Sequence, residues 1–136
     1  MLRNDTIQEG IITELKSLSA ITALVTNSLG DYEIRETEWR GTVFEYPNIR
    51  VEMEQVPSIE GCGYGEIDFT IKVFSESSSS KECSNIAGIV FQTVPRSFTS
   101  NGILFTGVIC RRLGKALPVG VRTWQVNVDY QAIVNG

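Results

Sequence analysis

The sequence predicts an α+β fold: a mainly antiparallel sheet with two helices packed on one face, in the order α-β-β-β-α-β-β. Three observations carry this. Residues 48–56, 66–74 and 121–134 alternate apolar and polar side chains with the period of a half-buried strand. Residues 5–25 and 79–94 instead carry apolar stripes at helical spacing. Strands grouped around two amphipathic helices, without a regular βαβ alternation, favour a sheet with its helices on one side. At 136 residues the chain has the length of one domain, and 1–136 is expected to be a single unit.

Taken in order, Thr6 and Glu9 have capping-box spacing, and Ile7, Ile11, Leu15 and Leu18 form the first stripe. Ser19 restarts a short helical turn through residues 20–25, and Asn27, Ser28 and Gly30 end it. Residues 32–39 are a weaker strand, followed by punctuation at Gly41 and Pro47. In the next strand Ile49, Val51 and Met53 face one way, and Arg50, Glu52 and Glu54 the other. The glycine-rich run from Gly61 to Gly65 joins it to a strand in which Ile67, Phe69, Ile71 and Val73 alternate with Glu66, Asp68, Thr70 and Lys72. An antiparallel pair is expected.

Ser79 and Glu82 form a second capping box. Cys83, Ile86, Ala87, Val90, Phe91 and Val94 then mark one buried face, which Pro95 closes. A polar loop over residues 97–102 leads to a strand over 103–110, and a loop over 111–120 leads to the last strand. There Trp124, Val126, Val128, Tyr130 and Ala132 alternate with Gln125, Asn127, Asp129 and Gln131. The expected core is Ile67, Phe69, Ile71, Ile86, Val90, Phe91, Trp124, Val126 and Val128.

Several classes of function find no support. The chain has no histidine, which excludes a Ser-His-Asp triad, a Cys-His dyad and a histidine metal site. Cys62, Cys83 and Cys110 are odd in number and lack zinc-ligand spacing, as expected of reduced thiols. The glycine-rich run leads into a strand, so it lacks the helix N-terminus of a phosphate loop. Carboxylates two residues apart, such as Glu52 and Glu54, share one wet side of a strand and not a cleft. No catalytic residue, cofactor site or metal site is expected. The first five residues lack an apolar signal core, and no apolar run approaches the length of a membrane span, so a soluble chain without a membrane partner is expected.

The net charge of −4 argues against a dedicated nucleic-acid binder but hides a division. Between residues 31 and 68 ten acids face three arginines, whereas residues 83–128 hold five basic residues and no acid. The basic ones are Arg96, Arg111, Arg112, Lys115 and Arg122.

Three stretches resemble the phage tail-completion family, the tail terminators of long-tailed phages. They are the run of small and aliphatic residues from Leu18 to Val25, the alternating strand 67–74 followed by the helix 79–94, and the aromatic-and-valine last strand over 121–130. The acidic stretch over 31–46 departs from the family, which is shorter and proline-bearing there. The resemblance implies a structural virion protein, assembled in the host cytoplasm, whose subunits form a homo-oligomeric ring, a hexamer. The ring caps the tail tube, stops its growth and joins it to the head connector, and DNA only passes through its channel. A neck connector or stopper is the alternative, and a small α+β ligand-binding domain or enzyme is the alternative of a different class. Complementary charge orients heterologous contacts in a ring. Arg111, Arg112, Lys115 and Arg122 are therefore candidates to meet Glu36, Glu38, Glu52 and Glu54 of a neighbour or another tail partner, unless the basic loop lines the channel instead.

Overall fold

The first apolar stripe winds into α1 (Asn4–Ser17), which buries Ile7, Ile11, Ile12 and Leu15. The computed structural model describes residues 1–41 and 45–136. Helix α1 starts two residues before the expected Thr6 cap, and no local side chain caps it. A distant carboxylate does so: Glu60 Oε1 accepts from the Asn4 backbone N–H at 3.0 Å and from Asn4 Nδ2 at 2.7 Å. Asn4 Oδ1 accepts in turn from the Val56 N–H at 3.0 Å. An anion at a helix N-terminus meets unsatisfied N–H groups and the positive end of the dipole, wherever in the sequence it originates. A second, short helix, α2 (Ser19–Thr22), follows where the serine restart was expected.

Strands β1 (Ile34–Glu36), β2 (Asn48–Met53) and β3 (Tyr64–Glu76) precede α3 (Lys81–Thr93). After it come β4 (Phe98–Ser100), β5 (Ile103–Leu113), β6 (Leu117–Pro118) and β7 (Thr123–Asn135). Among the described residues the seven strands form one sheet in the order β1-β2-β3-β7-β5-β4, with β6 continuing beside β7 after β5 leaves it. All pairings are antiparallel except β1 with β2. The expected pair of alternating strands is β2–β3, with Val51 opposite Ile71. Two short strands, β4 and β6, stand where polar loops were expected, because hydrogen bonding to a neighbour and not apolar alternation makes them strands. The middle of the acidic stretch, residues 42–44, lies outside the described residues.

Helix α3 lays Cys83, Ile86, Ala87 and Val90 on β3 and β7. Cys83 Sγ donates to Val73 O at 3.2 Å, and the Phe69 and Tyr130 rings stack at 5.3 Å beneath the helix. Helix α1 touches β1 and β2 at one end of the strand order and β4 at the other. Gln8 Nε2 donates to Val51 O at 3.0 Å, and Ser100 Oγ donates to Gly10 O at 2.7 Å. The sheet therefore curls around α1, which bridges its two edges. Close approach explains Gly10: a Cβ there would stand 3.3 Å from Ser100 O and 3.4 Å from the Phe105 ring.

Two of the nine expected core residues are placed differently. Phe91 is 48% exposed. At about 100° per residue it falls roughly 80° around the helix from Cys83, on the margin of the apolar stripe. Trp124 is half-buried near the start of β7, its Nε1 donating to Ser77 O at 3.1 Å. The α3 capping box is replaced by a tighter turn, in which Ser79 Oγ accepts from the Lys81 N–H at 3.1 Å. Arg50, expected on a wet face, is buried.

Candidate functional site

The outward face of the sheet is polar and mixed in sign. It carries Arg50 and Glu52 on β2, Thr70 and Lys72 on β3, Asn127 and Asp129 on β7, and Arg112 on β5, matched by the strand register. Lys72 Nζ meets Glu52 Oε2 at 2.8 Å, and Thr70 Oγ1 donates to Asp129 Oδ1 at 2.8 Å. At the β1 end this face is covered. Glu33 is fully buried, its Oε1 lying 3.3 Å from Arg35 Nε and 3.6 Å from Arg50 Nη1. The guanidinium of Arg35 sits 3.9 Å from the centroid of the Trp39 ring, and that of Arg50 lies 5.5 Å from it. Burial lowers the Arg50 pKa from its ordinary value, and the neighbouring Glu33 opposes that shift. A buried charge needs such pairing, and the flat guanidinium also stacks on an indole.

The eight candidate contact residues fall into separate places. Arg111 and Arg112 are at the exposed end of β5, where the register shifts between Cys110 and Arg112 as in a β-bulge. Arg111 donates to Gln131 of its own chain, and Arg112 lies opposite Asp129. Arg111 thus has a neutral hydrogen-bond partner and Arg112 an acidic ladder neighbour within the subunit, without an ion pair to either among the described residues. Lys115 and Arg122 are exposed in the connections between β5 and β7 and make no ion pair among the described residues.

Of the acids, Glu52 is paired with Lys72 and Glu54 is exposed just beyond β2. Glu36 and Glu38 stand apart from them, on the wall of a groove of about 630 Å³ between α1 and β1 that also takes in Asp5, Glu9 and Ile12. Within one chain, the structure does not bring the acidic and basic candidates together: β2, β3 and β7 lie between β1 and β5 in the sheet.

Exposed apolar side chains, which charge counting overlooks, cluster beside the basic residues. Ile109, Leu113, Leu117, Val119 and Val121 are all exposed within thirteen residues. The alternation at 117, 119 and 121 was their signal in the sequence, unused because that stretch reads as a loop. A smaller group, Leu29, Tyr32 and Tyr46, is exposed at the β1 end.

Among the described residues no three cysteine, aspartate or glutamate side chains are grouped to hold a metal ion, and no helix is long and apolar enough to cross a membrane. Burial pushes the Cys83 and Cys110 thiols up, so their thiolates are scarce at neutral pH.

No family model and no curated protein matches the sequence. The fold is shared with solved structures. One is a chain from the virion of a native gene transfer agent particle, with a TM-score of 0.71 at 17% identity over 96% of this chain and 95% of that one. A second aligns with a TM-score of 0.65 at 13% identity over 100% of this chain and 98% of its own. At these identities the likeness is one of fold, covering nearly the whole of all three chains.

Proposed function

We propose that this protein is a structural subunit of a phage-like virion, and within it a tail terminator: a ring, hexameric by the family resemblance, that caps the tail tube and joins it to the head connector. The observation that carries the reading is the near full-length agreement of fold with a gene transfer agent virion chain. It comes from geometry, independently of the three sequence stretches that resemble the tail-completion family. The surface is consistent with assembly. An exposed basic and apolar segment and an acidic groove occupy different ends of one sheet, so a subunit can offer unlike surfaces to its two neighbours, as a closed ring requires.

The outward sheet face suits the wall of a channel. Its charges are mixed and partly paired, and Gln125, Asn127 and Gln131 add amides, so DNA meets few unpaired cations to hold it during passage.

Native mass spectrometry with negative-stain microscopy tests the reading. Six-fold rings with a central channel are expected, and rings added to polymerising tail-tube protein should stop tube growth. A monomer at all concentrations, or a ring that leaves tube growth unchanged, overturns the terminator assignment. A ring that binds only the head connector identifies a neck protein instead.

A further inference from the structure

We infer that residues 113–122 of one copy form an arm that lies in the groove between α1 and β1 of the next copy. The inference rests on the ring reading and specifies its contact.

The arm is exposed on its own subunit. Strand β4 covers β5 only over Ile103, Leu104 and Phe105, and the Val108 N–H is taken by Arg96 O at 3.0 Å. Beyond that point, on the side away from β7, β5 and β6 have no strand neighbour among the described residues. Gly114 holds the arm's base against β7: its N–H donates to Asn127 O at 2.8 Å, and a Cβ would stand only 2.9 Å from that same oxygen. Past this point the chain carries exposed Leu117, Val119 and Val121 at alternate positions, with exposed Lys115 and Arg122 at either end. An open strand edge with exposed apolar side chains at alternate positions is a template for pairing, and soluble proteins cover such edges.

The groove offers the complementary features. Its main part, about 630 Å³, adjoins a second cavity of about 500 Å³ that shares Lys16 and Arg35 and reaches Asp31 and Tyr32. The two form one channel along β1, a strand paired on one side only among the described residues. Buried Ile12 and Ile34 supply apolar floor, and Asp5, Glu9, Asp31, Glu36 and Glu38 outnumber the two cations. The apolar side chains of an arriving strand would meet that floor while Lys115 and Arg122 meet the acidic rims. Two-fold pairing of arm with arm would instead set like charges together, so head-to-tail docking is favoured.

The test uses the full chain with Cys62 and Cys110 replaced by serine and Cys83 left in the core. Val119→Cys and Glu9→Cys are made separately, and a short bismaleimide cross-linker is added to each variant and to their equimolar mixture. A cross-linked dimer should form in the mixture and be absent from either variant alone. A ring that forms without this product, or that gives it equally within one variant, overturns the inference and leaves the ring reading standing. A folded chain that stays monomeric overturns both.

Charge reversal provides an independent check. The double variant Lys115→Glu with Arg122→Glu should raise the ring's dissociation constant at least about tenfold, equivalent to about 1.4 kcal/mol. Glu9→Lys with Glu36→Lys in the partner should restore assembly. Reversal without effect on assembly of a folded protein counts against the arm, as does failure of the compensating pair.

Discussion

Phe105 has no exposed surface and stacks on Phe98 with ring centroids 4.6 Å apart, beside the Gly10 turn of α1. Truncating it leaves a cavity that rigid neighbours on helix and sheet cannot fill, so Phe105→Ala should cost about 3–5 kcal/mol in urea unfolding. Phe91 is the same residue type on the opposite side of the decision. It is half exposed, and Phe91→Ala should cost less than about 1 kcal/mol. Equal losses for the two would show that the rim of α3 is covered in the folded protein. Stripe position alone separates these cases poorly, since a residue at the edge of an apolar arc is buried only if the neighbouring element reaches over it. At Phe91 that neighbour is β5, whose Ile109 also remains exposed.

The start of α1 shows how one element borrows its cap from another. Asn4 and Glu60 hold the helix N-terminus to the turn before β3, and the two hydrogen bonds from Asn4 depress the Glu60 carboxyl below its usual value. A carboxylate with a lowered folded pKa contributes stability above its unfolded pKa and loses it as pH falls through the folded value. Glu60→Gln should therefore melt below the wild type near about pH 7, and the gap should narrow as pH falls through and below the ordinary carboxylate range, while the lowered Glu60 carboxyl takes up its proton. Melting curves across that range provide the measurement, and a gap unchanged at acid pH would remove the charge from the explanation. The same element carries the Asn4 side chain, which is buried and bonds the Val56 backbone in both directions.

Across the whole molecule, α1 acts as the seam of a curled sheet. Its contacts reach β2 through Gln8, β4 through Ser100 and the turn after β4 through Asn101, places far apart in the sequence. A larger residue at Gly10 would push directly against the Ser100 carbonyl and Phe105. Gly10→Val should destabilise the fold by roughly 1–3 kcal/mol, and any gain in helix propensity over glycine should not offset the overpacking. Urea titration with tryptophan and far-UV signals followed together is the measurement, and a variant as stable as the wild type would show that the two edges are not held this tightly. A closed ring would likewise depend on unlike surfaces at separate ends of one sheet and not on any single side chain.

Period-two alternation in β2, β3 and β7, and the stripes of α1 and α3, were legible residue by residue, because each strand or helix must turn an apolar side toward a single core. The absence of histidine and the division of charge along the chain were equally plain. Tertiary structure alone decided what depends on a neighbour. Strands β4 and β6 exist because β5 and β7 offer them hydrogen bonds. Arg50 is buried because Glu33 and Trp39 meet it there. Arg111 and Arg112 have Gln131 and Asp129 as neighbours because sheet register sets them side by side. The groove that collects Asp5, Glu9, Asp31, Glu36 and Glu38 draws on a helix and a strand separated in sequence. Local periodicity records which way a side chain points, and only the folded chain determines what it meets.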